Sequence, residues 1–428
     1  MNDAAAEPRE ITRQLRRWQV RTVATVFATY ATYYFCRQNI AAALPAMQRD
    51  LGLTKSDLGH VTMALFIGYA LGQLLFGALS DRHGVRWMLL GGMLGSAALN
   101  IAFAFSRPMA PMIVIWGLNG FFQASGFPST AKTIANWFPP AQRGRVSAIR
   151  GADYPLGSLL VMVLAGWLAE HYGWRWAFIV PAGVLTISAV HTFLRLREAP
   201  EDVGLPSAEE QHTGQVAEAG NGFNGWRYII RMTVGNRRIW ALAVAFFGLT
   251  ITRHGFGIWA VTYLTDQGAS ISRAAAITAI IWAGGIVGNF VAGWWTDTTL
   301  GGRRAPVVVP MLVLLAVLSA IFPLVPVQST GLLLLYLAVV GACTYGPDMM
   351  ICHTMAMDVA TRKAAASAGG FIDFWGSVGA ALSVALTGQL AESVGWSSVV
   401  GLWAGGAALA AIMVALLWNV RGGHAEYV

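Results

Sequence analysis

The chain has 428 residues, of which 56% are hydrophobic and 12% charged, and its formal net charge is +8 at pH 7. A soluble protein carries about 25% charged residues, so this composition excludes a mainly water-exposed surface and indicates a polytopic helical membrane protein. The three cysteines lie in apolar segments without the spacing of metal ligands or of a disulfide framework. We therefore expect no metal site and no cofactor.

Twelve apolar segments, each long enough to cross a bilayer, follow one another along the chain. Their approximate centres are Phe35, Ile67, Ala97, Phe122, Leu159, Ala182, Ala245, Ala283, Leu315, Ala338, Val378 and Ala407. The predicted fold class is an all-α membrane protein with twelve transmembrane helices in two pseudo-symmetric six-helix halves. The predicted parts are an N-terminal segment (1–20), an N-terminal half (21–195), a linker (196–236), a C-terminal half (237–420) and a tail (421–428).

Basic residues are concentrated on one side of these segments. That side includes the N-terminal segment, the linker and the loops that contain Arg86 and Arg304. The opposite loops hold only Arg49, Lys55, Arg107, Arg175 and Arg273. Because cytoplasmic loops carry the excess of Lys and Arg, we predict that both termini are cytoplasmic. The same asymmetry explains the positive net charge without a nucleic-acid partner.

An arginine lies near the middle of the first apolar segment, in Tyr30–Asn39. A charge at bilayer depth costs at least about 2.5–3.5 kcal/mol on insertion scales, so Arg37 marks a functional site. Arg253 lies inside a later apolar run, 253 − 37 = 216 residues further on. Two guanidinium forks at matched positions predict one oxyanion held between Arg37 and Arg253. The alternative is that each arginine pairs with a carboxylate as a structural element.

Five more residues complete the predicted substrate site. Tyr30 and Tyr34 precede Arg37 by seven and three residues, the spacing of one helical face, although packing roles are the alternative. Arg150 and Asp153, three residues apart, either form an intrahelical ion pair or bind substrate. In the second case Asp153 accepts an amine, a hydroxyl or a coupling proton. Asp373 is the repeat counterpart of Asp153 and is predicted to face the same cavity.

The two halves repeat a glycine pattern, since Gly72-x4-Gly77-x3-Asp81 recurs as Gly288-x4-Gly293-x3-Asp297. Internal repeats predict a binding site near the midplane between the halves. Other polar residues in apolar runs are candidates for lining that site or for carrying protons, with packing as the alternative: His254, Asp348, His353, Lys132 and Gln73. Charged residues at the ends of helices are predicted to form a cytoplasmic gate: Asp81, Arg82, Arg86, Asp297 and Arg304. No Walker-type loop is present, so we expect neither an ATP-driven pump nor another enzyme.

The stretch Gly77–Arg86 reads Gly-x3-Asp-Arg-x-Gly-x-Arg and resembles the loop motif of the major facilitator superfamily. Gly120–Pro128, Gly346–Pro347 and Arg253–Leu264 resemble stretches of its organophosphate:phosphate antiporters, which include glycerol-3-phosphate and hexose-phosphate carriers. The resemblance implies that Arg37 and Arg253 bind a phosphoryl group and that Tyr34 and Tyr30 line the pocket.

The chain also departs from the glycerol-3-phosphate carriers. They have a lysine where this chain has Gln73, and an asparagine and a histidine where it has Arg150 and Asp153. The two arginines, called the clamp below, are kept while the residues around them differ. The resemblance therefore does not identify glycerol 3-phosphate as the cargo.

The resemblance implies a monomeric secondary active transporter of an organic phosphate or phosphonate in the inner membrane. It would exchange this anion for inorganic phosphate by alternating access. Two alternatives stay open. The acidic residues Asp153 and Asp373 favour a proton-coupled symporter of organic carboxylates, and some relatives of these carriers are membrane receptors for phosphorylated metabolites.

Overall fold

The computed structural model describes residues 3–139, 142, 146, 149–207, 233–299, 303–359 and 365–420. Its fold is all-α. The first half contains α1 (Asp3–Tyr33), α2 (Asn39–Leu51), α3 (Lys55–His83), α4 (Val85–Phe105), α5 (Met109–Gln123), α6 (Gly126–Trp137), α7 (Asp153–His171) and α8 (Trp176–Arg195). The second contains α9 (Arg237–Asp266), α10 (Ile271–Thr299), α11 (Ala305–Ile321), α12 (Thr330–Met349), α13 (Ala356–Val359), α14 (Ala365–Ser393) and α15 (Trp396–Ala415).

Among the described residues, eight helices are long and apolar enough to cross a bilayer. They are Val85–Phe105, Trp176–Arg195, Arg237–Asp266, Ile271–Thr296, Ala305–Leu324, Thr330–Cys352, Ser367–Ser393 and Trp396–Ala415. The first predicted segment is divided between α1 and α2, and the fourth between α5 and α6, so neither gives one long apolar helix. The count of twelve spans therefore stays a prediction.

Glycines allow equivalent pairs of helices to pack closely in the two halves. A Cβ at Gly68 of α3 would lie 1.8 Å from the carbonyl oxygen of Gly117 in α5. A Cβ at Gly284 of α10 would lie 2.0 Å from the carbonyl oxygen of Ala338 in α12. Gly68 and Gly284 are separated by 284 − 68 = 216 residues, the offset of the sequence repeat. The sequence repeat therefore corresponds to the same close packing of a helix pair in each half.

The first helix is interrupted at the predicted site. After α1 ends, Tyr34–Cys36 form a single 3₁₀ turn, and α2 begins at Asn39. Asn100 and Asn119 donate their side-chain amides to the carbonyl oxygen of Cys36, at 3.1 and 2.9 Å. Gln123 donates in the same way to the carbonyl oxygen of Tyr33 at 3.0 Å. These neighbouring side chains satisfy the carbonyls that the break releases, as an irregular segment inside an apolar bundle requires.

A second interruption follows α12. Pro347 lies in its last turn, and Met350–Met355 continue as a π-helical turn before α13. Proline removes a backbone donor, and π-helical turns occur frequently at functional sites. Asp348 lies directly beside this irregularity and is 7% exposed.

The halves meet at the end of the bundle formed by the loops after α2, α7, α9 and α14, called the far end below. Nζ of Lys55 lies 2.9 Å from a carboxylate oxygen of Asp266, and the Lys55 backbone N–H donates to Glu392 at 3.0 Å. The Ser272 backbone N–H donates to Glu170 at 2.5 Å. These contacts join the two halves and close the far end.

Candidate substrate site

A narrow cavity of about 30 Å³ lies between the two halves and is lined by both predicted arginines, Arg37 and Arg253. Tyr34, Tyr154 and Tyr345 also line it. The volume holds only one or two water molecules. Pockets for small molecules usually measure roughly 300–1,000 Å³, so an organic ligand requires the halves to move apart.

Arg37 is surrounded by aromatic rings. Its Cζ lies 4.3 Å from the ring centroid of Tyr69, 5.4 Å from that of Tyr34 and 5.7 Å from that of Phe66. Ring faces attract a guanidinium within about 6 Å. No carboxylate of the described residues lies within ion-pair distance of Arg37. The rings hold the cation in place and leave it without a neutralising negative charge.

Arg253 is bound differently. From the middle of α9, its Nη1 donates to Oδ1 of Asp348 at 2.6 Å. The Tyr154 hydroxyl donates to the other carboxylate oxygen, Oδ2, at 3.2 Å. The rings of Tyr154 and Tyr345 lie 5.4 and 5.2 Å from the guanidinium carbon. Of the two predicted anion-binding arginines, Arg253 is therefore paired with a buried carboxylate, and Arg37 has no such partner among the described residues.

A series of tyrosines connects the surroundings of the two arginines. The ring of Tyr30 lies 5.8 Å from that of Tyr34, which lies 5.4 Å from that of Tyr154. Tyr154 in turn lies 5.8 Å from Tyr345. The expectation that Tyr30, Tyr34 and Arg37 share one continuous helical face is wrong, since α1 ends at Tyr33, whose carbonyl oxygen accepts from Gln123 of α5. Tyr30 and Tyr34 nevertheless remain in contact.

Arg150 and Asp153 form an ion pair beside this series. Nε of Arg150 lies 3.3 Å from Oδ2 of Asp153, and Nη2 donates to Thr130 at 2.9 Å. Oδ1 of Asp153 accepts the backbone N–H of Tyr154 at 2.7 Å, at the first residues of α7. Arg150 also lies 5.2 Å from the ring centroid of Tyr30. The ion-pair interpretation thus matches the geometry, next to the cavity rather than on its wall.

Gln73 and Asp373 meet across the two halves. Nε2 of Gln73 on α3 donates to Oδ2 of Asp373 on α14 at 2.8 Å. Among the described residues, Gln38 makes another such contact, donating to the carbonyl oxygen of Gly257 at 2.7 Å. Both bonds must lengthen if the halves separate near the site.

The remaining predicted residues are more scattered. His254 lines the cavity, with its ring 4.7 Å from that of Phe66 and Nδ1 3.1 Å from the carbonyl oxygen of Thr250. Lys132 is half-buried in α6. The side chain of His353 lies outside the described residues. Within the part of the chain that the structure describes, no cluster of His, Cys, Asp or Glu could hold a metal ion.

Two of the predicted gate residues are described, and each connects neighbouring helix ends within one half. Arg86 at the start of α4 donates to the carbonyl oxygen of Phe193 on α8, at 2.6 and 3.2 Å. Arg304 binds Asp358 of α13 at 3.2 Å. The side chains of the other three lie outside the described residues: Asp81, Arg82 and Asp297.

Three tyrosines of the site were not singled out from the sequence. Tyr69 precedes Gln73 by four residues, Tyr154 follows Arg150 by four, and Tyr345 precedes Asp348 by three. Each therefore shares a helical face with a polar residue that was already a candidate. This spacing could have identified them.

Comparisons with known proteins agree with this architecture. The family model described as Major Facilitator Superfamily matches residues 26–346 and 262–426. A probable hexose phosphate transport protein of Chlamydia muridarum is 28% identical over 436 residues, covering 97% of this chain and 94% of that protein. A glycerol-3-phosphate transporter of Bacillus subtilis is 29% identical, covering 96% and 95%. The membrane sensor protein UhpC of Escherichia coli is 27% identical, covering 94% and 93%.

Solved structures share the fold. An inward-facing, unoccupied bacterial homologue of the human lysosomal transporter Spinster superposes with a TM-score of 0.68 at 14% identity, covering 94% of this chain and 95% of that one. A mutant of the nucleoside transporter NupG gives a TM-score of 0.68 at 15% identity, covering 94% and 100%.

Proposed function

The chain belongs to the major facilitator superfamily, with the organophosphate:phosphate antiporters as its branch, and we propose that it carries an organic phosphate or phosphonate held between Arg37 and Arg253. It is a multi-pass transporter of the inner membrane and not an enzyme. The proposed cycle exchanges the organic anion for inorganic phosphate. Residues 21–195 and 237–420 are the proposed moving halves, with twelve spans in all and both termini in the cytoplasm.

The observation that carries this proposal is the shared cavity of Arg37 and Arg253. The two residues come from opposite halves and line the same space. A guanidinium binds a tetrahedral oxyanion through two parallel N–H donors and stays charged at any working pH. Two of them offset most of the charge of a phosphoryl dianion. Tyr34 and Tyr154 lie between them, where their hydroxyls can donate to further oxygens of the anion.

The carrier must open for the ligand to enter, since the cavity of about 30 Å³ is too small for it. The far end is held by Lys55 with Asp266 and by Glu170 with Ser272. By the distribution of basic residues, this is the periplasmic end. Entry from the cytoplasm keeps these contacts, and release to the other side breaks them as one half rocks against the other.

Asp348 is the proposed competitor of the anion. It binds Arg253 at 2.6 Å, whereas Arg37 is in contact with aromatic rings and has no carboxylate partner among the described residues. The anion therefore binds Arg37 first and then displaces Asp348 from Arg253. Because Asp348 offsets the charge of Arg253 in the empty carrier, the unliganded site faces less self-repulsion than two bare arginines would produce.

The test is counterflow in proteoliposomes loaded with labelled inorganic phosphate, with organic phosphates, phosphonates and carboxylates offered outside in turn. Release triggered by phosphorylated compounds and not by carboxylates is the expected result. Proton-driven uptake of a carboxylate without phosphate exchange would contradict the proposal. That outcome would assign the chain to the symporter alternative instead.

A sensor is the second candidate function, because the membrane sensor protein UhpC is 27% identical over nearly the whole chain. A sensor would bind a phosphorylated ligand in the same cavity without carrying it across. Binding of an organic phosphate to purified protein, combined with no counterflow in liposomes, would favour this candidate.

A further inference from the structure

A second cavity lies on the outside of the first half, between α1 and α8, and measures about 320 Å³. The two helices are joined deeper in the bundle, where Oγ1 of Thr29 lies 2.7 Å from Oγ1 of Thr192. The Thr32 hydroxyl lies 2.7 Å from that of Ser188. Beyond these contacts the helices leave an open cleft at the end of the bundle that is richest in basic residues.

The cleft is strongly basic. Arg17 and Arg21 of α1 line it together with His191 and Arg195 of α8, and none of its described lining residues is acidic. Nε of Arg21 is shielded from solvent and has no hydrogen-bond partner among the described residues. The Arg21 guanidinium carbon lies 4.4 Å from the ring centroid of Trp18, so this ring holds the charge beside the cleft.

The outer edge of the cleft is apolar. Val20 of α1 is 65% exposed, and Ile187, Val190 and Leu194 of α8 are 72%, 50% and 63% exposed. Side chains of this kind on the outside of a transmembrane helix face lipid chains. The site therefore combines a basic cleft with an adjoining surface suited to hydrocarbon, which a small soluble anion would not use.

We propose that this cleft binds the phosphate headgroup of an anionic phospholipid, whose chains lie along the exposed apolar side chains of α1 and α8. Basic pockets between transmembrane helices on the cytoplasmic side suit such headgroups. The phosphate, which carries one negative charge, weakens the repulsion between the like charges of Arg17, Arg21 and Arg195 across the cleft. The lipid thereby fastens α1 to α8 at the end where the two helices diverge.

The experiment compares retention of phosphatidylglycerol and phosphatidylcholine by the full-length protein, using native mass spectrometry from equimolar mixed micelles. Wild-type protein is expected to retain one phosphatidylglycerol in preference to phosphatidylcholine. The variant R17Q/R21Q/R195Q is expected to lose that preference by at least about tenfold, since each basic residue near an anionic headgroup contributes to binding. The single variant R195Q, which changes an exposed residue, gives a smaller loss if the triple variant does not fold.

The matched control is R13Q/R16Q/R238Q, which removes the same charge from exposed residues that do not line the cleft. It is expected to keep the preference. Equal losses in both triple variants, or no preference in the wild type, would overturn the proposal. Free glycerol phosphate in excess separates the two sources of phosphate: it is expected to leave the lipid bound, and displacement by it would show a site for soluble anions instead.

Discussion

The substitution Asp348→Asn removes the carboxylate that binds Arg253, while it keeps the size of the side chain. The two groups are 2.6 Å apart, and their side chains are 16% and 10% exposed for Arg253 and Asp348 respectively. If the transported anion takes the place of this carboxylate, the neutral variant competes with it less, because an amide oxygen accepts from Arg253 without a negative charge. We expect Asp348→Asn to bind inorganic phosphate more tightly than the wild type.

The size of this effect follows from the contact that is lost. A hydrogen bond to a charged group contributes about 1.5–3 kcal/mol net, and its complete loss would tighten phosphate binding roughly 10- to 150-fold. The asparagine oxygen still accepts from Arg253, so we expect a gain near the lower end of this range. The same change leaves Arg253 buried without a counter-ion, and breaking a buried pair costs about 3–5 kcal/mol of unfolding free energy. The variant should therefore melt at a lower temperature, and phosphate should stabilise it more than it stabilises the wild type.

Two measurements check this prediction: the half-saturating phosphate concentration in counterflow, and thermal unfolding with and without phosphate. Asp358→Asn is the matched control, because Asp358 binds Arg304 at 3.2 Å with similar burial, 14% and 18% exposed, and outside the cavity. The control should lose stability with no gain in phosphate affinity. A folded Asp348→Asn protein with unchanged or weaker phosphate binding would refute the displacement of Asp348.

Three further predictions concern the clamp, the helix packing and the far end. Arg37→Lys and Arg253→Lys should each lower uptake at least about tenfold in counterflow, since lysine keeps the charge and loses the planar fork; near-normal affinity in both would contradict the clamp. Gly68→Ala should lower the melting temperature and the yield of folded protein, because its Cβ would lie 1.8 Å from a carbonyl oxygen. The control Gly91→Ala, with no neighbour within 4 Å, should leave both unchanged. Lys55→Gln should raise the fraction of molecules with an open far end by up to about fivefold, since an ion pair of this kind contributes about 0–1 kcal/mol. Spin-label distances across that end measure this fraction, and a more closed far end would argue against this role.

The repeat could be predicted from the sequence because it depends on local pattern. Gly68 and Gly284 occupy equivalent places in α3 and α10, and the 216-residue offset that relates them also relates Arg37 to Arg253. Small residues at fixed spacing determine how closely two helices pack. The all-α fold and the meeting of the two arginines in one cavity both follow from this pattern.

The break in the first helix could not be predicted from its own residues. Tyr30–Asn39 contains neither glycine nor proline, and its spacing indicates a continuous helix. The break depends on amide side chains from other segments, Asn100, Asn119 and Gln123, which bind the released carbonyls. Such partners are distant in sequence, so a pattern within one helix does not reveal them.

The pairing of Arg253 with Asp348 could not be predicted from the sequence either, because the two residues are 95 positions apart. The sequence placed Asp348 only among residues that could line the site. Its role depends on Pro347 and on the π-helical turn that follows, which together place the carboxylate at the end of α12. A single proline in an apolar run indicates an irregular helix but does not say which residue it brings to a partner.

This pairing changes how the empty carrier should behave. Two arginines without counter-ions would repel each other and resist closing around an empty site, and that repulsion would enforce strict exchange. With Asp348 bound to Arg253, only Arg37 lacks a counter-ion among the described residues, and aromatic rings surround it. A carboxylate that substitutes for the anion lowers the cost of reorienting an empty site, so net movement of anion should accompany exchange in the wild type.

Asp348→Asn leaves both arginines without a counter-ion, and it should therefore keep phosphate exchange while net efflux into phosphate-free medium slows. Equal slowing of exchange and efflux would mean that Asp348 acts on the protein's motion in general and not through the charge of the empty site.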